Sequence, residues 1–467
     1  ESDHSTTDSV GPDGVVKMEP DIRERVRRAK RASIVLAAKS TEEKDMALEA
    51  MARALDSRRE TILEENAKDV SAAEEMVSRG ELSKALLKRL IVTDQKIDTM
   101  VAGIRDVISL PDPVGRTMDS LELDSGLELY QVSAPIGLIG VIFESRPDVI
   151  PQIMALCLKS GNATAFKGGS EASRSNRILF QVLVEAISSI DGMPGEAFQL
   201  METREDVSAI LDLDEHIDLL IPRGSNDFVR YIQDNTRIPV LGHASGICHV
   251  YVDKEMDDEM AWRVCLDSKI QYAAVCNAME TLLIHQDVLE EFLPEMVRRL
   301  IDNNVEVRCD NLSLEILAGI KDLDKSNIVS VTDEDWDTEY TDLIISIRVV
   351  DSMASAIEHI NNHGSHHTDA IVTIDVERAA RFASLVDSSS VMVNCSTRFA
   401  DGYRYGKGAE VGISTNKIHA RGPVGMEGLM IYKYVVIGDG QIVADYSGDG
   451  ARGFTHRKLD NQYPLGD

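Results

Sequence analysis

The chain has 467 residues, too many for one simple core, so two or three domains are expected. Its 43% hydrophobic and 27% charged content fits a soluble globular protein, and no apolar run approaches membrane-spanning length. With 79 acidic against 49 basic side chains the net charge is −30, which argues against nucleic acid as a partner, because phosphate binding needs a basic stripe.

Residues 1–20 are polar and read as a flexible leader. From Asp21 to about Ile108 the pattern is helical: Ile22, Val26, Ala29 and Leu36 share one face, as do Ala47, Ala50, Met51, Ala54 and Leu55. Thr41 followed by Glu42 and Glu43 marks a helix start, with acids at the positive end of the dipole. Leu121 to Gln131 alternates apolar and polar around Ser125-Gly126, a β-hairpin signal. Strands are then predicted at Gly137–Phe143, Asn162–Lys167, Ala197–Leu200 and Ile217–Ile221. Helices are predicted between and after them at 148–160, 175–187, 206–211 and 226–235. This order implies a parallel doubly wound sheet, with ligands beyond the carboxyl ends of its strands. The alternation repeats from His249 to Ala370. A second hairpin is predicted from Leu429, turning at Gly438-Asp-Gly440. Two distant hairpins can pair with each other or with another subunit, so a homo-oligomer is expected.

The six cysteines, Cys157, Cys248, Cys265, Cys276, Cys309 and Cys395, are scattered, without a CxxC pair or metal-ligand spacing. That points to a reduced, cytoplasmic compartment. Cys276 stands out, in Tyr272-Ala-Ala-Val-Cys-Asn-Ala-Met-Glu-Thr281. A thiolate is a strong nucleophile near neutral pH, although most free cysteines are simply buried. Two strand ends upstream change the balance. Lys167-Gly168-Gly169-Ser170 places an ammonium and two glycines where a ribose or phosphate can approach. Arg223-Gly224-Ser225 is a sharp turn into a helix start, whose amides suit phosphate. Neither loop is the GxGxxG fingerprint; their order before a nucleophilic Cys carries the signal.

Together with Pro135-Ile-Gly-Leu-Ile-Gly-Val-Ile-Phe-Glu-Ser-Arg-Pro147, Val240-Leu-Gly-His-Ala-Ser-Gly-Ile-Cys-His249, His367-Thr-Asp-Ala-Ile-Val372 and Ser396-Thr-Arg-Phe-Ala-Asp-Gly402, these stretches resemble the aldehyde dehydrogenase superfamily. They resemble most a branch of it that reduces an acyl phosphate. The resemblance implies an α/β fold: a Rossmann-like cofactor domain (21–120 and 132–245), a catalytic α/β domain (246–427), oligomerisation hairpins (121–131 and 428–450) and a tail (451–467). It implies NADPH-dependent reduction of L-glutamyl 5-phosphate to L-glutamate 5-semialdehyde, with release of phosphate through a cysteine thioester, in proline biosynthesis. It also implies a dimer or tetramer and, since some relatives carry a fused glutamate kinase, association with such a kinase.

By the same resemblance Cys276 is the nucleophile; the superfamily's oxyanion Asn has no clear counterpart near Glu144-Ser145-Arg146, and the Cys276 amide and Asn277 are the candidate oxyanion donors. Lys167, Gly168, Ser170, Arg223, Gly224, Ser225 and, by counting back from the Ile344 strand, Glu339 hold NADPH. Arg146 and Arg398 are the expected phosphate or carboxylate clamps. His243, His367 and Asn394 are expected to face substrate. Hydrolytic members carry a Glu at the head of a Glu-Leu-Gly-Gly stretch; here Val240-Leu-Gly-His has no carboxylate. That favours a reductase over a non-phosphorylating aldehyde dehydrogenase, the alternative enzyme reading. A retired structural subunit is the non-enzyme alternative. No metal is expected: His363, His366 and His367 lie close together but without HExxH spacing.

Overall fold

A computed structural model describes residues 22–202 and 205–465, and the chain forms two compact units. One comprises 1–220, 236–239 and 429–467; the other comprises 221–235 and 240–428. The leader expected over 1–20 lies outside the described residues.

The first unit opens with five helices, α1 (Ile22–Ala37), α2 (Thr41–Ser57), α3 (Arg59–Ser78), α4 (Lys84–Leu90) and α5 (Asp94–Ser109). Helix α2 starts where the acids predict it. Ser40 takes the Glu43 amide while the Glu43 carboxylate takes the Ser40 amide, a closed capping box. Its apolar stripe of Ala47, Leu48, Met51, Ala52 and Leu55 is fully buried. Next come β1 (Thr117–Asp124), β2 (Leu127–Pro135), β3 (Leu138–Phe143), α6 (Val149–Lys159), β4 (Ala163–Gly168), α7 (Ser173–Ser188), β5 (Phe198–Met201), α8 (Glu205–Leu211) and β6 (Leu219–Arg223). Every residue of β3 and β4 is buried, and the two pair in parallel within a sheet of order β5-β4-β3-β6. Strands buried along their whole length have to be covered on both faces. Helices α1, α6 and α7 pack on this sheet.

The first hairpin forms as predicted, β1 against β2. The second does not. Met430–Ile437 is a strand, but it pairs along the whole of β2, from Met430 opposite Pro135 to Ile437 opposite Glu128. The returning arm is a short 3-10 turn at Val443–Tyr446. Asp124, at the end of β1, accounts for this: it takes the Tyr446 hydroxyl at 2.9 Å and the Arg452 guanidinium at 2.5 Å, which pulls the chain off the hairpin path. The expected tail instead supplies a fourth strand, Arg457–Leu459, on β1.

The second unit contains α9 (Asn226–Asp234), β7 (Cys248–Val252), α10 (Asp258–Ile270), β8 (Met279–His285), α11 (Leu289–Asp302), β9 (Glu306–Cys309), α12 (Asn311–Ala318), β10 (Ile328–Ser330), β11 (Ile344–Val350), α13 (Met353–His363), β12 (Thr368–Val372), α14 (Val376–Leu385) and β13 (Ser390–Val393). Seven of its strands form one parallel sheet, in the order β10-β9-β11-β8-β7-β12-β13. Leu282 and Ile284 point into one apolar cluster with α11; Leu283 joins a second with α13 and α14. Opposite faces of one strand are thus both covered, as its consecutive apolar residues Leu282, Leu283 and Ile284 require. Each such side chain contributes about 1.5–3 kcal/mol. The boundary between units differs from the expected one. It cuts β6 after Leu220, so Arg223, Gly224 and Ser225 belong with the nucleophile's unit and not with Lys167.

Candidate active site

Cys276 sits on the loop between α10 and β8. Cys157, Cys248, Cys265 and Cys309 are buried, whereas Cys276 and Cys395 keep some exposure. The loop is held on three sides. Cys248 gives its S–H to the Cys276 carbonyl, with sulfur 3.1 Å from the oxygen. Asn277 donates from Nδ2 to the Ala400 carbonyl at 2.8 Å, and its Oδ1 accepts from Arg398 Nη1. Arg398 is almost fully buried and also donates through Nε to Gln271 Oε1 at 2.8 Å.

Gly246 forms the third side. A Cβ there would lie 2.1 Å from the Cys276 carbonyl oxygen and 2.5 Å from its Cα, so no larger residue fits without moving the nucleophile. Gly246→Ala is therefore expected to cut turnover about 10²-fold, the scale of a 1 Å misplacement of a reacting group. Steady-state kinetics beside a denaturation curve check this, and an unchanged kcat would overturn it.

Two imidazoles complete the site. Each of His243 and His367 offers a ring nitrogen such that these atoms and the Cys276 sulfur all lie within 4.8 Å of one another. The His243 Nδ1 is 2.9 Å from the Ile413 carbonyl, which can only accept, so Nδ1 carries the proton and Nε2 a lone pair. His367 is fully buried; its Nδ1 is 2.8 Å from Thr368 Oγ1, and its Nε2 has no hydrogen-bond partner. Burial lowers both histidines' pKa values and keeps both rings neutral. Burial also pushes the Cys276 thiol up to about 12; Glu339 and Glu410 add to this, and Arg398 opposes it. The resting site is thus a thiol between two neutral imidazoles.

Glu339 accepts from Asn226 Nδ2 at 2.7 Å, which places it at the start of α9, directly after Gly224-Ser225. Arg223 donates through Nη1 to the Val411 carbonyl at 2.7 Å. In the first unit Lys167 ends β4, buried, with Nζ 2.7 Å from the Gly168 carbonyl. Gly168 is followed by the turn that Ser170 opens. In that turn Glu171 takes both the amide and the hydroxyl of Ser145 at 2.7 Å. Ser145 is left-handed, at φ 43°, and precedes the half-buried Arg146 between β3 and α6.

The ligand rule for parallel sheets describes Lys167 and Arg223, at the carboxyl ends of β4 and β6. It does not describe the nucleophile. Cys276, His243 and His367 precede β8, β7 and β12, at the amino ends of those strands. Asn394 is left-handed and gives both ends of its amide to the Thr373 backbone, which accounts for the residue without a ligand. The three neighbouring histidines scatter: His363 pairs with Asp337, His366 with the Asp387 carbonyl, and His367 alone joins the thiol.

Sequence reasoning missed Gly246, Gln271, Glu410 and a buried pair, Lys269 with Glu280. Only the last left a signal, a carboxylate inside the apolar run of β8.

Comparison with known proteins gives one direction. The model of the aldehyde dehydrogenase family matches residues 15–311. A gamma-glutamyl phosphate reductase of Methanococcoides burtonii is 65% identical over 445 residues, covering 95% of this chain and 98% of that protein. One from Natronomonas pharaonis is 53% identical, covering 94% and 98%. The crystal structure of gamma-glutamyl phosphate reductase from Thermotoga maritima superimposes with a TM-score of 0.84 at 39% identity, over 90% of this chain and 99% of that one.

Proposed function

We propose, from the premise that this chain belongs to the aldehyde dehydrogenase family, that it reduces L-glutamyl 5-phosphate to L-glutamate 5-semialdehyde with release of phosphate. The observation that carries the reading is the partly exposed Cys276 thiol with two neutral imidazoles in reach and no carboxylate at Val240. The name shared by full-length relatives supports the substrate.

The family uses a nicotinamide cofactor, and the donors present suit one. Lys167 supplies a buried cation at a strand end, with Gly168 and Ser170 beside it. Arg223, Gly224 and Ser225 lead into the first amides of α9, a site for pyrophosphate oxygens. Glu339, beside them, is an acceptor for ribose hydroxyls. When bound, NADPH supplies the hydride that reduces the acyl carbon.

The chain's own residues do the rest. An imidazole Nε2 takes the thiol proton as Cys276 Sγ bonds to the acyl carbon. The carbon–oxygen bond to phosphate breaks, and phosphate leaves with the electron pair. Arg398, already directed at the loop through Asn277 and Gln271, balances the developing negative charge, and Arg146 is the second candidate clamp. Val240 and Leu241 are buried and apolar, so no carboxylate stands at that position to activate water against the thioester. When the aldehyde departs, the carbon–sulfur bond breaks and the imidazolium returns its proton to sulfur.

A homo-oligomer is proposed from the edge strand Met430–Ile437. Tyr432, Tyr434 and Val436 share one of its faces and stay about half exposed.

The test runs the reaction backwards. Purified protein with glutamate 5-semialdehyde is expected to reduce NADP+ only when phosphate is present, and faster than it reduces NAD+. Turnover without phosphate would replace this reading with non-phosphorylating oxidation.

A further inference from the structure

The Cys276 sulfur and a nitrogen from each of His243 and His367 form a three-ligand set that no step above uses as a set. We propose that this triad captures Zn2+, or another borderline-soft divalent cation, and that the bound ion holds the enzyme in a reversible inactive state by occupying its thiol.

The ligand types are those of a three-coordinate protein zinc site with an open fourth position. Each ring has its Nδ1 engaged, which leaves Nε2 for a metal. His243 is fixed through Nδ1 by the Ile413 carbonyl, and His367 is held at Nδ1 by Thr368 Oγ1. Such outer partners orient a histidine so that Nε2 is free to bind metal. The His367 Nε2 is a buried polar atom without a partner, although the rest of its ring is accounted for. A buried polar atom left unmatched calls for an explanation, and a cation shared with His243 and Cys276 supplies one.

The ligand atoms, within 4.8 Å of one another, need only small side-chain movements to accept bonds of about 2.0–2.3 Å. The local field also favours a cation. Glu339 and Glu410 both act on the Cys276 sulfur as negative charges. Arg398 opposes them, one positive charge against two negative ones. On binding, the thiol proton passes to solvent and a sulfur–metal bond takes its place.

The test titrates the reduced, full-length protein with Co2+ and reads absorbance, so it does not depend on turnover or on the reductase reading. The expected result is one Co2+ per chain, with a sulfur-to-cobalt charge-transfer band and the visible bands of a four-coordinate centre, displaced by Zn2+. Cys276→Ser is expected to abolish the charge-transfer band. His367→Gln is expected to weaken binding about tenfold or more, the scale of disturbing a metal-site histidine. The unmodified protein gives a second measurement, which decides if a variant does not fold: Zn2+ should protect Cys276, but not Cys395, from iodoacetamide, and a chelator should restore both alkylation and activity. A charge-transfer band that survives in Cys276→Ser, or Zn2+ that inhibits while Cys276 alkylates at the unprotected rate, would overturn the proposal. Protection and the band in a protein without phosphate-dependent turnover would leave it standing and remove the reductase reading instead.

Discussion

Changing Cys276 to Ser is expected to lower phosphate-dependent oxidation of glutamate 5-semialdehyde by at least about 10⁴-fold, the scale of losing a nucleophile that works as a unit with its base. That is about 5.5 kcal/mol of transition-state stabilisation. Stability should change little, because the side chain keeps its size and the loop is held by Cys248, Asn277 and Gly246 and not by the thiol itself. The pH dependence of alkylation adds a second reading. Burial holds the free thiol at about 12, so the thiolate fraction, and with it the iodoacetamide rate at Cys276, should climb about tenfold per pH unit through the neutral and mildly alkaline range. A plateau near neutral pH would reveal a resting thiolate–imidazolium pair and overturn the neutral resting site. A serine variant with appreciable turnover would remove Cys276 from the reaction.

Lys269→Met is expected to destabilise the protein by about 3–5 kcal/mol, because it strands a buried carboxylate. Lys269 lies in the last turn of α10 and Glu280 is the second residue of β8; both are fully buried, with Nζ and Oε2 2.7 Å apart. The pair clips together the two ends of the loop that carries Cys276. Burial raises Glu280 to about 7 even with the lysine pulling it down, and burial lowers Lys269. Without the lysine the carboxyl rises further. A carboxyl raised in the folded state favours folding most while protonated, below its ordinary 4.5, and loses that contribution as pH climbs through its folded value. The variant's deficit should therefore be small in acid and grow towards neutral pH, as urea titrations at several pH values would show. Adding Glu280→Leu should recover most of the loss, since a well-packed apolar pair substitutes for a buried ion pair. A deficit below about 1 kcal/mol at neutral pH, typical of an exposed pair, would show that the clip carries no load.

In the sequence itself, the alternation of apolar strands and amphipathic helices announces two parallel α/β units, and Lys167, Arg223-Gly224-Ser225 and Cys276 are legible as chemistry. Those signals are local. A buried strand such as Ala163–Gly168 advertises itself by its own composition, and the start of α2 by Ser40 and Glu43 within one turn. What local patterns cannot express is which distant residues meet. His243, Cys276 and His367 converge because β7 lies between β8 and β12, an order no periodicity encodes. His363 and His366 stay apart from His367 although they are near neighbours in the chain: His363 ends α13 against Asp337, and His366, left-handed, turns to the Asp387 carbonyl. The second hairpin failed for a related reason: its turn residues were sound, but Asp124, far away in sequence, offered Tyr446 and Arg452 a better partner than the returning strand did. No local pattern marks Gly246, whose part appears only when folding brings the backbone of Cys276 against the place where its Cβ would be. Residue identities thus determined the kinds of element and the available chemistry, while long-range strand order and close packing alone decided which groups became a site.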